Sequence, residues 1–269
     1  MADGLGKRIL TAVVLVAAAL ATLFLFPAWV TWAAVSALAL AGAWEWSAFL
    51  QLTSPAGRAA YVLLIAALLW VAWQVSLTPQ GRDLLLAGAV AWWLVALAWV
   101  LFAPRRAASW SAGVAGALAL VPCWLALVRL RGAPQGADWV LYALALVWVA
   151  DIGAFFFGRQ FGRLQLAPHV SPRKTWEGVL GGVGVSVLVA IAGSLWFKVP
   201  LAVFLPLSLA AVGFSIVGDL TESLLKRHAG IKDSGSLFPG HGGVMDRIDS
   251  LTGAAPVLLF GLRFLGVPA

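Results

Sequence analysis

The chain has 269 residues, 62% of them hydrophobic and 11% charged, with a formal net charge of +7; a soluble domain runs at about 45–50% apolar and about 25% charged. That balance excludes a soluble globular domain, a disordered chain, a collagen and a coiled coil, and leaves an integral membrane protein. The one cysteine, Cys123, excludes an intramolecular disulfide and a cysteine-built zinc site.

A bilayer core of roughly 30 Å takes about 20 apolar residues per helix. Apolar stretches fall at 9–26, 28–50, 60–77, 84–103, 108–128, 138–157, 175–197, 201–225 and 250–267. They predict an all-α, polytopic integral membrane protein of about nine transmembrane helices, built as a single membrane domain over 1–269. The first stretch follows Lys7 and Arg8 and contains Ala17, Ala19 and Ala21, as a signal peptide would. Its apolar run exceeds the usual length of about 7–15 residues, which predicts an uncleaved signal anchor.

Charge gives the topology. With a cytoplasmic N-terminus, Arg82, Arg129, Arg131, Lys198 and Arg263 fall on or near the outer face, which leaves thirteen of the 18 Lys and Arg inside. The positive-inside rule then predicts N-in, C-out, integral to the cytoplasmic (inner) membrane with the site facing the cytoplasm. The basic excess is read as this topology signal, and no nucleic acid is expected as a partner. Most of the Trp residues, among them Trp29, Trp32, Trp44 and Trp46, sit near span ends as an aromatic belt.

The halves differ. Residues 1–137 are Ala/Leu/Val/Trp-rich, with Glu45 the exception among their spans, and read mainly as scaffold helices. The catalytic helices and cytoplasmic loops are expected in 138–269. Asp151 lies inside the sixth stretch, where an uncompensated charge costs at least about 2.5–3.5 kcal/mol; it either pairs with an arginine of another helix or faces a polar cavity. Ser171-Pro172 reads as a helix start, Ser as N-cap and Pro at the first helical position. Arg173, Lys174 and the free N–H groups of that helix end would then make an anion site.

Asp219, Glu222, Ser223 and Lys226 recur at i, i+3, i+4, i+7 and share one helix face. They are either a snorkelling helix end with a Glu222–Lys226 pair or the polar stripe of a site. In the loop that follows, Gly235, Gly240, Gly242 and Gly243 permit close approach to a ligand. Asp246 and Asp249 share a face at the start of the last helix. Mg²⁺ takes one or two protein carboxylates and completes its shell with water and phosphate, a demand that Asp246 meets with Asp219, Asp249 or Asp151. His241 alone is a poor metal signal, and a hydrogen bond within the loop fits it as well as a phosphate contact does.

The 27-residue string Ser223-x-Leu225-Lys226-Arg227-x4-Lys232-Asp233-x-Gly235-x2-Phe238-Pro239-x-His241-Gly242-Gly243-Val244-x-Asp246-Arg247-Ile248-Asp249 resembles the signature of phosphatidate cytidylyltransferases, also called CDP-diacylglycerol synthases. The segments Asp151 to Arg159 and Ser171 to Gly178 look like that family too. The resemblance implies Mg²⁺-dependent transfer of CMP from CTP to phosphatidic acid, giving CDP-diacylglycerol and pyrophosphate, with room for a second cation. It makes Asp219, Asp246, Lys226, Arg227 and Asp249 the catalytic candidates. Asp219, Asp246, Asp249 and Asp151 become the metal candidates, Asp151 otherwise pairing a cation. Ser223, Lys232, His241, Gly242, Gly243, Arg247, Ser171, Arg173 and Lys174 are expected to hold the substrates, the cations facing phosphates. The partners implied are CTP, phosphatidic acid and the lipid bilayer, with a lateral opening for the lipid; a homodimer is plausible from the family alone. Two rivals stand beside this reading. One is a related polyprenol or lipid kinase. The other is a cation-coupled transporter with Asp151 and Asp219 in its ion path, disfavoured because the polar residues gather at one face and not at the midplane.

Overall fold

The computed structural model describes residues 2–235, 237 and 242–267, with side chains from residue 13 onward. Nine helices occur among the described residues: α1 (Ala2–Phe24), α2 (Ala28–Trp46), α3 (Pro55–Val75), α4 (Pro79–Phe102), α5 (Ser109–Gly132), α6 (Gly136–Phe161), α7 (Trp176–Phe197), α8 (Leu201–His228) and α9 (Met245–Phe264). They follow the nine apolar stretches in order. Six of them, α3 to α8, are long and apolar enough to cross a membrane. Their outer faces carry large apolar side chains such as Leu63, Leu180 and Leu195, exposed at 69%, 68% and 75%, far more contiguous apolar surface than a water-soluble monomer shows.

Several helices run past the apolar stretch that announces them, because polar side chains at a helix end reach water while the backbone stays paired. Ser54 and Thr78 cap α3 and α4 by accepting from the N–H groups of Gly57 and Gly81, each at 3.1 Å, and a proline follows each cap. At its polar end α8 continues through Lys226, Arg227 and His228, and α9 begins at Met245, five residues before the expected 250.

One expectation fails. Ser171-Pro172 does not start a helix: Ser171–Thr175 is a strand, β2, antiparallel to β1 (Gln165–Ala167), with Gln165 opposite Thr175 and Ala167 opposite Ser171. The helix start lies four residues later, where Thr175 Oγ1 accepts from Gly178 N at 3.2 Å. The reason lies in Glu177, whose carboxylate accepts from the backbone N–H groups of Arg163 and Leu164 at 3.1 and 3.2 Å. That bond folds the chain back on itself before α7 and makes Pro172 part of a two-stranded ribbon, in which its missing N–H is tolerated.

Small residues bring α6 and α7 together. A Cβ added at Gly182 would lie 2.6 Å from the carbonyl oxygen of Ala150, and one at Gly178 2.8 Å from that of Ala154. Positions four apart on each helix thus form the small-residue seam that lets membrane helices touch backbone to backbone. At the far end Trp139 and Phe197 stack with ring centroids 3.5 Å apart, and the Tyr142 and Ser208 hydroxyls share a hydrogen bond of 2.6 Å. A Gly182→Leu substitution is expected to destabilise the bundle by about 1–3 kcal/mol through overpacking, read as a lower thermal midpoint in detergent. Gly184→Leu, where an added Cβ meets nothing within 4 Å, is expected to leave the midpoint unchanged.

Candidate functional site

The polar ends of α8 and α9, the β1–β2 hairpin, the middle of α6 and the loop between α8 and α9 meet at one end of the bundle. Their convergence begins with a backbone contact. A Cβ added at Gly218 of α8 would lie 2.5 Å from the carbonyl oxygen of Asp249, and Gly253 of α9 packs as tightly against the carbonyl of Phe214. Only glycine allows such an approach, and it puts Asp219, the residue after Gly218, beside Asp249.

Asp219 is ion-paired with Lys174 of β2 and accepts from the Ser223 hydroxyl at 3.4 Å. Asp249 is half-buried and accepts from the Ser250 N–H at 2.8 Å. Asp151 of α6 lies within electrostatic reach of Asp219, Lys174 and Arg247, and Asp249 within that of Asp219, Glu222 and Lys174. Carboxylates from three helices therefore share one ammonium.

A second cluster adjoins it. Lys226 Nζ lies 2.6 Å from Glu222 Oε2 and 2.8 Å from Asp246 Oδ1. The other oxygen of Asp246 accepts from the backbone N–H groups of Gly243 at 2.8 Å and Ser234 at 3.1 Å. Gly242 holds a left-handed φ of +82°, and a Cβ there would lie 2.5 Å from Asp246 Oδ2. Asp246 thus binds both ends of the loop, apart from the Asp151–Asp219–Asp249 group. The i,i+4 pair of Glu222 and Lys226 is present, and it is inside the protein: Glu222 is 1% exposed, and its Oε1 has no hydrogen-bond partner among the described residues.

The remaining candidates surround these clusters. Arg173, Arg227, Lys232 and Arg247 are exposed, and none is ion-paired among the described residues; Arg227 Nε donates to the carbonyl of Val170 at 3.5 Å. Ser171 is half-buried in β2. His241 lies outside the described residues.

No three carboxylates or imidazoles stand at coordination distance of a common point among the described residues. Mg²⁺ does not require that, since it keeps several waters and takes substrate phosphate as ligand. The donor chemistry fits a hard cation: Asp151, Asp219 and Asp249 offer only oxygen, Lys174 is the one cation ion-paired within the group among the described residues, and Glu222 Oε1 is buried without a partner.

Beside the hairpin an apolar groove of about 460 Å³ runs between α4, α7 and α8, lined by Val100, Val179, Gly213, Val217, Leu220 and Val170 among others. His169, at its rim, shares a hydrogen bond of 3.2 Å with Arg105.

Glu45 of α2, in the half expected to be scaffold, supports the site. It is 8% exposed, and its carboxylate accepts from Ser234 Oγ, Val244 N and Met245 N, each at 2.9 Å. A lone acid in an apolar span was the signal for it, and Glu177 likewise carried a cue in its place just after the basic pair Arg173-Lys174.

The profile of the Cytidylyltransferase family matches residues 6–265. The phosphatidate cytidylyltransferase of Haemophilus influenzae is 41% identical over 286 aligned positions, spanning 97% of this chain and 99% of that protein. That of Pseudomonas aeruginosa is 42% identical over 261, spanning 94% and 95%. The phosphatidate cytidylyltransferase of Synechocystis sp. is 44% identical over 132, covering 47% of this chain and 44% of its own.

Glu45 yields a prediction that needs no knowledge of the reaction. Hydrogen bonds to a charged acceptor contribute about 1.5–3 kcal/mol each, so in Glu45→Gln the amides of Val244 and Met245 are expected to exchange with solvent at least about tenfold faster, as hydrogen–deuterium exchange would read. Unchanged exchange would remove Glu45 from the support of this loop.

Proposed function

The chain belongs to the cytidylyltransferase family, and on that premise we propose how its residues divide the work of a phosphatidate cytidylyltransferase. The reaction transfers CMP from CTP to phosphatidic acid. An oxygen of the lipid phosphate forms a bond to the α-phosphorus of CTP, the bond from that phosphorus to the oxygen bridging the β-phosphate breaks, and pyrophosphate leaves with that oxygen. The lipid phosphate is already an anion at neutral pH, so no strong base is required, and catalysis rests on positioning and charge neutralisation.

The observation that carries this reading is the meeting of Asp151, Asp219 and Asp249 from three helices with Lys174 among them. Asp219 and Asp249 are the residues we assign to holding Mg²⁺, with Asp151 beside them. These carboxylates would hold Mg²⁺, whose charge would offset that of the triphosphate and of the leaving pyrophosphate. Lys174 is placed to exchange its carboxylate partner for phosphate. Arg173, Arg247, Lys232 and Arg227 form no ion pair among the described residues, and we assign them to the triphosphate and the lipid phosphate. Asp246, through Lys226, Ser234 and Gly243, shapes the loop that carries Lys232. His241 is assigned to the same loop on the resemblance alone.

The lipid keeps its acyl chains in the bilayer while its headgroup reaches the carboxylates. We assign one acyl chain to the groove between α4, α7 and α8, because Leu220 of its wall is the neighbour of Asp219 and Val170 shares the hairpin with Lys174. We further propose that all nine helices span the cytoplasmic membrane with the N-terminus and the site on the cytoplasmic side, as the distribution of Lys and Arg supports.

The reaction is tested by pyrophosphate release from CTP by the purified protein in detergent. Release is expected to require both phosphatidic acid and Mg²⁺, to stop on chelation, and to fall by at least about 100-fold in Asp219→Asn. Lipid-independent release, or full activity of Asp219→Asn, would overturn the assignment. In the groove, an added Cβ at Gly213 meets nothing within 4 Å, so Gly213→Phe is expected to fold. It should raise KM for long-chain phosphatidic acid several-fold with KM for CTP unchanged; an unchanged lipid KM would move the acyl chain elsewhere.

A further inference from the structure

The end of the bundle away from the carboxylates holds a second concentration of charge. Asp249 and Arg263 stand on one helix, α9, fourteen residues apart, hence about 21 Å at 1.5 Å per residue. There Arg263 meets Arg82 from the first turns of α4 and Arg129 from the last turn of α5. Each of these guanidiniums lies within electrostatic reach of another, Arg129 within reach of both. Three of the five basic residues that the sequence places outermost are therefore gathered in one place.

Their compensation is incomplete. Asp83 accepts from Arg263 Nε at 2.6 Å and is 53% exposed. Arg129 donates to the carbonyl and hydroxyl oxygens of Ser76 at 2.8 and 2.6 Å and lies over the Trp73 ring at 4.4 Å. These neutral partners fix the guanidinium without cancelling its charge. One carboxylate serves three cations, and the Nε–H groups of Arg82 and Arg129 are buried with no partner among the described residues. Buried donors without acceptors cost about 1–3 kcal/mol each, and three neighbouring cations add repulsion. Both costs are offset by an anion. The N-terminus of α4 also points its dipole at this place, which favours negative charge.

We infer that Arg82, Arg129 and Arg263 form a binding site for the phosphate group of an anionic phospholipid, in the leaflet facing away from the carboxylate site. Guanidinium forks match phosphate oxygens in pairs, which an ammonium does not. Phosphate could also arrive free in solution, and the surroundings decide for the lipid. Leu84 and Phe264, the chain neighbours of Asp83 and Arg263, are 73% and 83% exposed, as is fitting for side chains that lie along acyl chains. The site is separate from the catalytic reading above and does not depend on it.

The test uses the full chain purified in an uncharged detergent. Thermal midpoints are measured with added phosphatidylglycerol, phosphatidylcholine or inorganic phosphate, and retained lipid is counted by native mass spectrometry. Phosphatidylglycerol is expected to raise the wild-type midpoint, because a ligand of the folded state stabilises it, and to remain bound at one per chain; phosphatidylcholine should do neither. Arg82 makes no side-chain hydrogen bond among the described residues, so Arg82→Gln should keep the midpoint seen in phosphatidylcholine while its apparent affinity for phosphatidylglycerol falls about tenfold. Arg82→Lys should restore it only in part. An equal rise in wild type and Arg82→Gln, or no rise in either, would overturn the site. The full rise from inorganic phosphate alone would overturn the lipid as its source.

Discussion

The contact between α8 and α9 at Gly218 and Gly253 determines where the carboxylates of the proposed site stand. Helices in a bilayer gain little from apolar burial against each other, since lipid is as apolar as leucine, and they associate through close packing and polar contacts. A Cβ at Gly218 would press on the carbonyl of Asp249, so the crossing exists only because neither helix has a side chain there. The same two turns carry Asp219 and Asp249, and the price of bringing two carboxylates together in an apolar setting is met by Lys174 from a third element.

The other groups serve that crossing. Glu177 folds the chain back into the hairpin that delivers Lys174. Asp246 and Glu45 hold the loop between the two helices from opposite sides, accepting together from Ser234, Gly243, Val244 and Met245. Glu45 and Asp246 each receive several donors, which is what burial of a charge demands. Glu222 Oε1 is buried without a donor of its own among the described residues.

Much of this was legible in the sequence. Nine apolar stretches correspond in order to nine helices among the described residues, as expected where a segment must satisfy its own backbone groups. The i, i+3, i+4, i+7 spacing placed Asp219, Glu222, Ser223 and Lys226 at the polar end of α8, where the structure has them. Ser171-Pro172 misled because capping chemistry is local, while the hairpin depends on Glu177 accepting from residues thirteen and fourteen positions earlier. Glu45 stood out as the lone acid inside an apolar stretch of its half, yet its partners lie about 190 to 200 positions away, and no periodicity reports a contact at that range. The division between Asp249, which joins Asp219, and Asp246, which joins Lys226, depends on helix rotation and loop path, which three-residue spacing does not specify.

The measurement that bears most directly on this account is the Mg²⁺ dependence of pyrophosphate release by Gly218→Ala, beside Gly184→Ala as the control whose Cβ meets open space. Displacing reacting groups by about 1 Å costs on the order of 100-fold. Gly218→Ala is therefore predicted to remain folded, to need far more Mg²⁺ for half-maximal rate and to lose about 100-fold in kcat/KM, while Gly184→Ala keeps the wild-type curve. A Gly218→Ala enzyme with the wild-type Mg²⁺ curve and rate would contradict the claim that the α8–α9 crossing builds the site.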